Sequence, residues 1–258
     1  MNIKMRKSSK FTTFINEGFY IENNVLFFDP EVDDYIKTGF GKFSGNKPYS
    51  AKLPFGNFYA PYTRNKSSDS KVYDAILNAI KGKGSLRMDP ESYQKFLNRT
   101  AIYLKRLFMD ASVDVILSMA SSSKLNNDIL NLVIPKLPSH VSIKRYDTAI
   151  FKNPDLDNIW IDKEAFNLDE RTVGNIQRTL DKMKERGQFK ISDMHPKFRA
   201  AFRDWLKMEN HVLHKIINQN VVVFDDYYTS GVSIKEASRL IQDAGAKSFT
   251  GIGIIKGN

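Results

Sequence analysis

Residues 221–233 read VVVFDDYYTSGVS, and residues 234–246 continue IKEASRLIQDAGA. Val221, Val222, Val223 and Phe224 form an unbroken apolar run in which the three valines are β-branched. A short run of this kind suits a strand buried on both faces of a parallel sheet. Asp225 and Asp226 follow at the strand's carboxyl end, and then a hydroxyl-rich turn, Thr229-Ser230-Gly231-Val232-Ser233. Ile234, Ala237, Leu240 and Ile241 recur at helical spacing until Gly245 ends the pattern. The stretch therefore reads strand, acidic turn, helix, and it sets the fold class expected for the chain: α/β, with a parallel sheet.

That order carries its own chemistry. In open α/β sheets, ligands collect beyond the carboxyl ends of the strands. Free backbone N–H groups at a helix start favour an anion, and a glycine lets the backbone approach it closely. The hydroxyls of Thr229, Ser230 and Ser233 are placed to add hydrogen bonds to phosphate oxygens. Two carboxylates a few residues earlier repel the phosphate itself but suit vicinal hydroxyls or a hydrated Mg²⁺ nearby. A sugar phosphate satisfies both ends. The plainer alternative is a strand closing in a solvated Asp-Asp turn with a Ser/Thr helix cap.

The same residues resemble the phosphoribosyl pyrophosphate (PRPP) signature of type I phosphoribosyltransferases. That signature has a hydrophobic strand, two acids, two variable residues, a Thr/Ser-Gly-x-Thr/Ser loop and a helix ending in Ala-Gly-Ala, and each part is matched without a gap. The resemblance implies that Asp225 and Asp226 hold the ribose hydroxyls and, through water, Mg²⁺. It implies that Thr229, Ser230, Gly231, Val232 and Ser233 bind the 5′-phosphate. Tyr227 and Tyr228 depart from the aliphatic residues usual between acids and loop.

Composition narrows the setting. The chain has 258 residues, 41% of them hydrophobic and 12% aromatic, which allows a sizeable core and excludes a disordered chain. It has no cysteine, which removes disulfides, thiolate metal sites and cysteine nucleophiles. No apolar stretch approaches a membrane span and the N-terminus lacks a signal-peptide core, so a cytoplasmic protein is expected. The net charge of +10 points to anionic partners, phosphorylated metabolites or nucleic acid. His211 and His214 stand three apart with no third ligand in view, and read as ordinary core or surface histidines.

Two regions are expected along the chain. Residues 1–66 are rich in aromatics and turns, with strands at Val25–Phe28 and Asn57–Tyr62, and read as a small β-containing region or an embellishment of the main sheet. This region is one candidate for a hood over the acceptor. Lys4, Arg6, Lys7 and Lys10 make its start basic, either a solvated tail or a nucleic-acid surface. Residues 67–258 read as the α/β core. Two helices open it, the second with Asp89 as N-cap and Pro90 in the first helical position. Two helices before the first parallel strand, and a chain ending soon after the PRPP motif, resemble the competence-associated branch of the family, though without its zinc ribbon.

Val113–Ser118 reads as a buried strand entering a serine-rich loop. By resemblance, Ser121, Ser122, Ser123 and Lys124 in that loop bind pyrophosphate, although a serine loop is also an ordinary helix cap. Val141–Asp147 reads as a third strand and Ser248–Ile255 as the last. The interval 148–220 reads as a helical insertion, with one helix carrying Leu168 to Met183 and another carrying Phe198, Phe202, Trp205, Leu213 and Ile216. Lys152, Lys197 and Arg199 lie in it, mostly as solvent-facing cations. The resemblance implies a transferase that displaces pyrophosphate from PRPP by a small-molecule acceptor, usually a nitrogenous base. A PRPP or nucleotide sensor, or a nucleic-acid binder that keeps the fold, is the alternative. Homodimer formation and the acceptor's identity stay open.

Overall fold

The computed structural model describes residues 13–15, 19–29, 49–63, 70–110, 112–121, 123–138, 141–228 and 231–256. Ser122, Thr229, Ser230 and the basic residues Lys4, Arg6, Lys7 and Lys10 lie outside the described residues.

In chain order, β1 (Thr13–Ile15), β2 (Phe19–Glu22) and β3 (Val25–Phe28) form an antiparallel meander, turned between β2 and β3 by Asn23 and Asn24 at positive φ. Next come β4 (Tyr49–Lys52), β5 (Asn57–Ala60), β6 (Tyr62–Thr63), α1 (Ser70–Ile80), β7 (Arg87–Met88) and α2 (Pro90–Asp110). Asp89 caps α2 as expected: its carboxylate accepts from the Ser92 N–H at 2.8 Å. Then follow β8 (Val115–Met119), α3 (Leu125–Val133), β9 (Lys144–Lys152), β10 (Trp160–Ile161), α4 (Glu170–Glu185), β11 (Phe202–Arg203), β12 (Leu206–Met208) and α5 (Asn210–Leu213). The chain closes with β13 (Asn220–Tyr228), α6 (Val232–Asp243) and β14 (Ser248–Lys256).

The central sheet runs β12-β9-β8-β13-β14-β5-β4, with β6 also pairing β14. Strands β9, β8, β13, β14 and β5 are parallel, while β12 and β4 close the two edges antiparallel. The fold is thus α/β with a mixed sheet. Helices cover both faces. On one, Val222, Phe224 and Ile116 pack with Phe96, Leu104, Ile129 and Leu130 of α2 and α3. On the other, Val221, Val223, Val115 and Leu117 pack with Ile176 and Leu180 of α4 and with Ile234, Ala237 and Ile241 of α6. Burial on both faces is why β13 begins as an unbroken apolar run, and each such side chain contributes about 1.5–3 kcal/mol.

Two expectations change, and one pair of alternatives proves not to be exclusive. The first parallel strand is β5, which precedes both helices, so the two-helix opening is not the start of the sheet. Both readings of the N-terminal region occur together: β1–β3 form a separate small sheet that β7 joins beside β3, while β4–β6 extend the main one. The second insertion helix is absent. Residues 196–201 form a 3₁₀ turn, β12 pairs antiparallel with β9, and α5 is one short turn. Asp204 sits at φ 58°, which no helix accommodates, and its backbone is held from outside. Asn153 Nδ2 donates to the Asp204 carbonyl at 2.7 Å, and the Asp204 N–H donates to Glu236 on α6 at 2.9 Å. Among the described residues no helix is long and apolar enough to cross a membrane.

Candidate functional site

Strand β13 outruns one of its neighbours. Its pairing with β8 stops at Phe224 opposite Ser118, whereas its pairing with β14 continues to Tyr228 opposite Lys256. Asp225 and Asp226 therefore lie within the strand, beyond its paired stretch with β8, where the carboxyl edge of the sheet opens. Alternation along the strand sends the two side chains to opposite faces: Asp226 follows Val222 and Phe224, and Asp225 follows Val221 and Val223.

Asp226 is held firmly. It is buried, at 7% exposure. The ammonium of Lys81, just past the end of α1, lies 2.9 Å from its Oδ2. Ser121 Oγ donates to the same oxygen at 3.0 Å from the loop after β8. Ser121 in turn accepts from the Ser123 N–H at 3.2 Å, so loop and acid are one network. Asp225 is half-buried and accepts the Asp226 N–H at 2.8 Å. Burial first, and the Asp226 charge second, push the Asp225 carboxyl up to about 7, against the opposing pull of that N–H and of Lys81. One acid is thus a firmly held hydrogen-bond acceptor, and burial pushes its neighbour's carboxyl toward the protonated form.

Beyond the acids, Gly231 takes the left-handed conformation, φ 72°, and serves as N-cap of α6 with no side-chain cap. No acid occupies the helix's first turn. The N–H groups of Val232, Ser233 and Ile234 thus start a twelve-residue helix whose positive dipole end has no acid in its own first turn.

The loop before α3 repeats the theme less completely. Lys124 is the N-cap of α3, exposed and without a side-chain cap bond. Asn126 opens the buried stripe Asn126, Ile129, Leu130, Val133, and neither its amide nitrogen nor its oxygen has a partner among the described residues. The structure thus brings Ser121 and Ser123 together with Asp226, and Lys124 lies next in the chain. Lys152 is exposed on β9, Lys197 lies over the Phe198 ring, and Arg199 donates to the Met194 and Ser192 carbonyls. Lys197 and Arg199 thus make contacts within the insertion itself. His211 packs edge-on against Tyr146, and both His211 and His214 are exposed.

Sequence reading missed Lys81 and Asn126. Lys81 gave no signal beyond a cation at a helix end, since the contact that matters spans most of the chain. Asn126 sat in a stripe that was otherwise apolar, and a polar residue on a core face is the signal that could have found it.

No protein-family model matches the chain, and no match is found among curated proteins. Among solved structures it is similar to the hypoxanthine phosphoribosyltransferase of Staphylococcus aureus, at 8% identity and a TM-score of 0.36 over 63% of this chain and 64% of that one. It is similar to the hypoxanthine phosphoribosyltransferase of Trypanosoma cruzi, at 8% identity and 0.34 over 63% of each. A hypoxanthine-guanine-xanthine phosphoribosyltransferase gives 11% and 0.31 over 63% of this chain and 61% of its own. The chain thus spans just under two thirds of each counterpart. Likeness of this size is one of coarse α/β architecture; it singles out no branch and weighs on neither site nor activity.

Proposed function

We propose that the chain binds PRPP at the carboxyl edge of β13 and transfers its phosphoribosyl group to a small acceptor. The observation that carries this reading is the succession, along one strand and the helix after it, of an anchored carboxylate, a left-handed glycine at the N-cap and a helix start with no acid in its first turn. An acid end suits ribose hydroxyls and an amide end suits the 5′-phosphate.

In this reading Asp226 accepts from a ribose hydroxyl, and Lys81 and Ser121 fix its orientation. Gly231, Val232 and Ser233 present backbone donors to the phosphate, with Thr229 and Ser230 completing the loop. Ser121, Ser122, Ser123 and Lys124 face the pyrophosphate. The acceptor's lone pair forms a bond to ribose C1 as the C1–oxygen bond breaks, and pyrophosphate leaves with that electron pair. The acceptor's proton is taken up by water. Positioning and charge compensation supply the rate, and no protein nucleophile is required.

Among the described residues no three His, Asp or Glu side chains converge to cage a metal. One carboxylate still suits Mg²⁺ bound largely through water and substrate oxygens. Of the two expected acids, Asp226, on the face that carries Lys81 and Ser121, would hold it, and it would neutralise charge building on the departing pyrophosphate.

The test is pyrophosphate release from PRPP with Mg²⁺ and a panel of nitrogenous bases. Release that depends on one acceptor, and that vanishes in Asp225→Asn/Asp226→Asn, is the expected result. Release unaffected by that variant overturns the site. PRPP binding without turnover for any acceptor would make the chain a sensor and remove the transferase reading.

A further inference from the structure

The end of α1, the turn leading to β7, the start of α2 and the start of α3 surround a cavity of about 830 Å³. That volume falls within the range of roughly 300–1,000 Å³ usual for small-molecule sites. Its walls divide by chemistry. Ile80, Leu86, Met88 and Leu125 give it an apolar floor, and Lys81, Arg87 and Lys124 bring three cations. Asp128 is the one carboxylate among the described lining residues, and it already accepts the Tyr93 hydroxyl at 2.8 Å. Lys81 is engaged with Asp226, but neither Arg87 nor Lys124 has an ion-pair partner in the described structure.

The cavity also touches the acid network. Lys81 lines it and reaches Asp226, and Ser123 lines it and reaches Asp226 through Ser121. Inorganic pyrophosphate would engage the cations but make no contact of its own kind with the apolar floor, of which Met88 is the most open part. A neutral apolar molecule would cover the apolar floor but make no use of the exposed Arg87 and Lys124. An anionic group on an apolar body uses both.

We infer that this cavity is the acceptor subsite and that the acceptor is a small amphipathic anion, bearing one phosphate or carboxylate on an apolar body. The inference rests on the ribose-phosphate reading above and adds to it the class of the second substrate. Arg87 provides the anion contact, and Leu86 and Met88 provide the surface for the apolar part.

Calorimetric titration of the full chain tests this with 1-naphthyl phosphate and 1-naphthoate as probes, against 1-naphthol and inorganic phosphate. At least one of the two anions is expected to bind about tenfold or more tightly than both controls, and which one does so distinguishes phosphate from carboxylate. Arg87→Gln is expected to lower that affinity about tenfold, with Arg87→Lys recovering part of it. Ribose 5-phosphate should bind alongside the probe and keep its affinity in Arg87→Gln. Equal binding of naphthol, or an Arg87→Gln protein that binds the anion as well as before, overturns the inference. If the anion binds through Arg87 while ribose 5-phosphate fails to bind the unaltered chain, the ribose-phosphate reading is what failed, and the acceptor role falls with it.

Discussion

Replacing Lys81 by Met removes the cation that pins Asp226 while keeping an unbranched apolar stem. The ammonium lies 2.9 Å from Asp226 Oδ2, with side-chain exposures of 16% and 10%, so water screens the pair weakly. Two unit charges about 4 Å apart attract by roughly 4 kcal/mol at an effective dielectric near 20. Desolvating both ions offsets part of that gain, but taking away one partner leaves the other buried, typically at about 3–5 kcal/mol. The Ser121 hydroxyl still donates to the stranded carboxylate, which places the expected loss near the lower end, about 3 kcal/mol. Asp226→Asn keeps an acceptor for Ser121 and is expected to lose about 1–2 kcal/mol. The double variant should then be less damaged than the sum, with a coupling of about 1–2 kcal/mol. Urea unfolding at neutral pH, followed by circular dichroism, reads these as midpoint shifts at constant slope. A coupling below about 0.3 kcal/mol would refute the reasoning, because it would mean that the ammonium and the carboxylate act independently.

Asp225→Asn should stabilise the protein in a pH-dependent way. Its folded carboxyl, held at about 7, lies above the ordinary 3.8, so below pH 4 both states carry the proton and nothing is lost. As pH rises from 4 to 7 the unfolded carboxylate ionises first, the wild type loses stability, and the deficit levels off above 7. With solvent sharing in the compensation, the variant's gain at pH 8 is expected to be about 2 kcal/mol, or roughly 5 °C in Tm, and near zero at pH 4. Asn126→Leu should raise stability by about 1 kcal/mol in chemical denaturation, since two orphaned buried polar atoms are removed; a loss instead would mean that water already satisfies them. Gly56→Ala should cost about 3 kcal/mol or more, because φ is +91° there and a Cβ would fall 2.0 Å from the Phe249 carbonyl oxygen on β14. A thermal melt within 2 °C of the unaltered chain would contradict that account of the β4–β5 turn.

What could be read from the sequence was local. The Val221–Phe224 run, the Asp89-Pro90 helix start and the helical period of Ile234 to Ile241 each follow from burial or capping within a few residues, and each appears in the structure. The Phe198–Ile216 segment misled because its apolar residues lie near helical spacing. Their burial is set instead by β9, α4 and α6, and Asp204 in the left-handed region breaks the chain in the middle. The Asn57–Tyr62 strand was legible and appears as β5 and β6, but its place in the parallel sheet was not: its partner β14 lies nearly two hundred residues later, and pairing at that distance leaves no local trace. In the site, the acids and the helix start were legible because one strand–helix unit carries them. Lys81 and the cavity beside it arise from four elements brought together by packing. The opposite facing of Asp225 and Asp226 required knowing that β13 continues to Tyr228.

Calorimetric titration of PRPP with Mg²⁺ into the unaltered chain and into Asp226→Asn tests the site most directly. Saturable binding to the first, weakened at least about tenfold in the second while the circular dichroism spectrum is kept, is the expected result. Equal binding by the two proteins, or none by the unaltered chain, would contradict a ribose-phosphate site at the carboxyl end of β13.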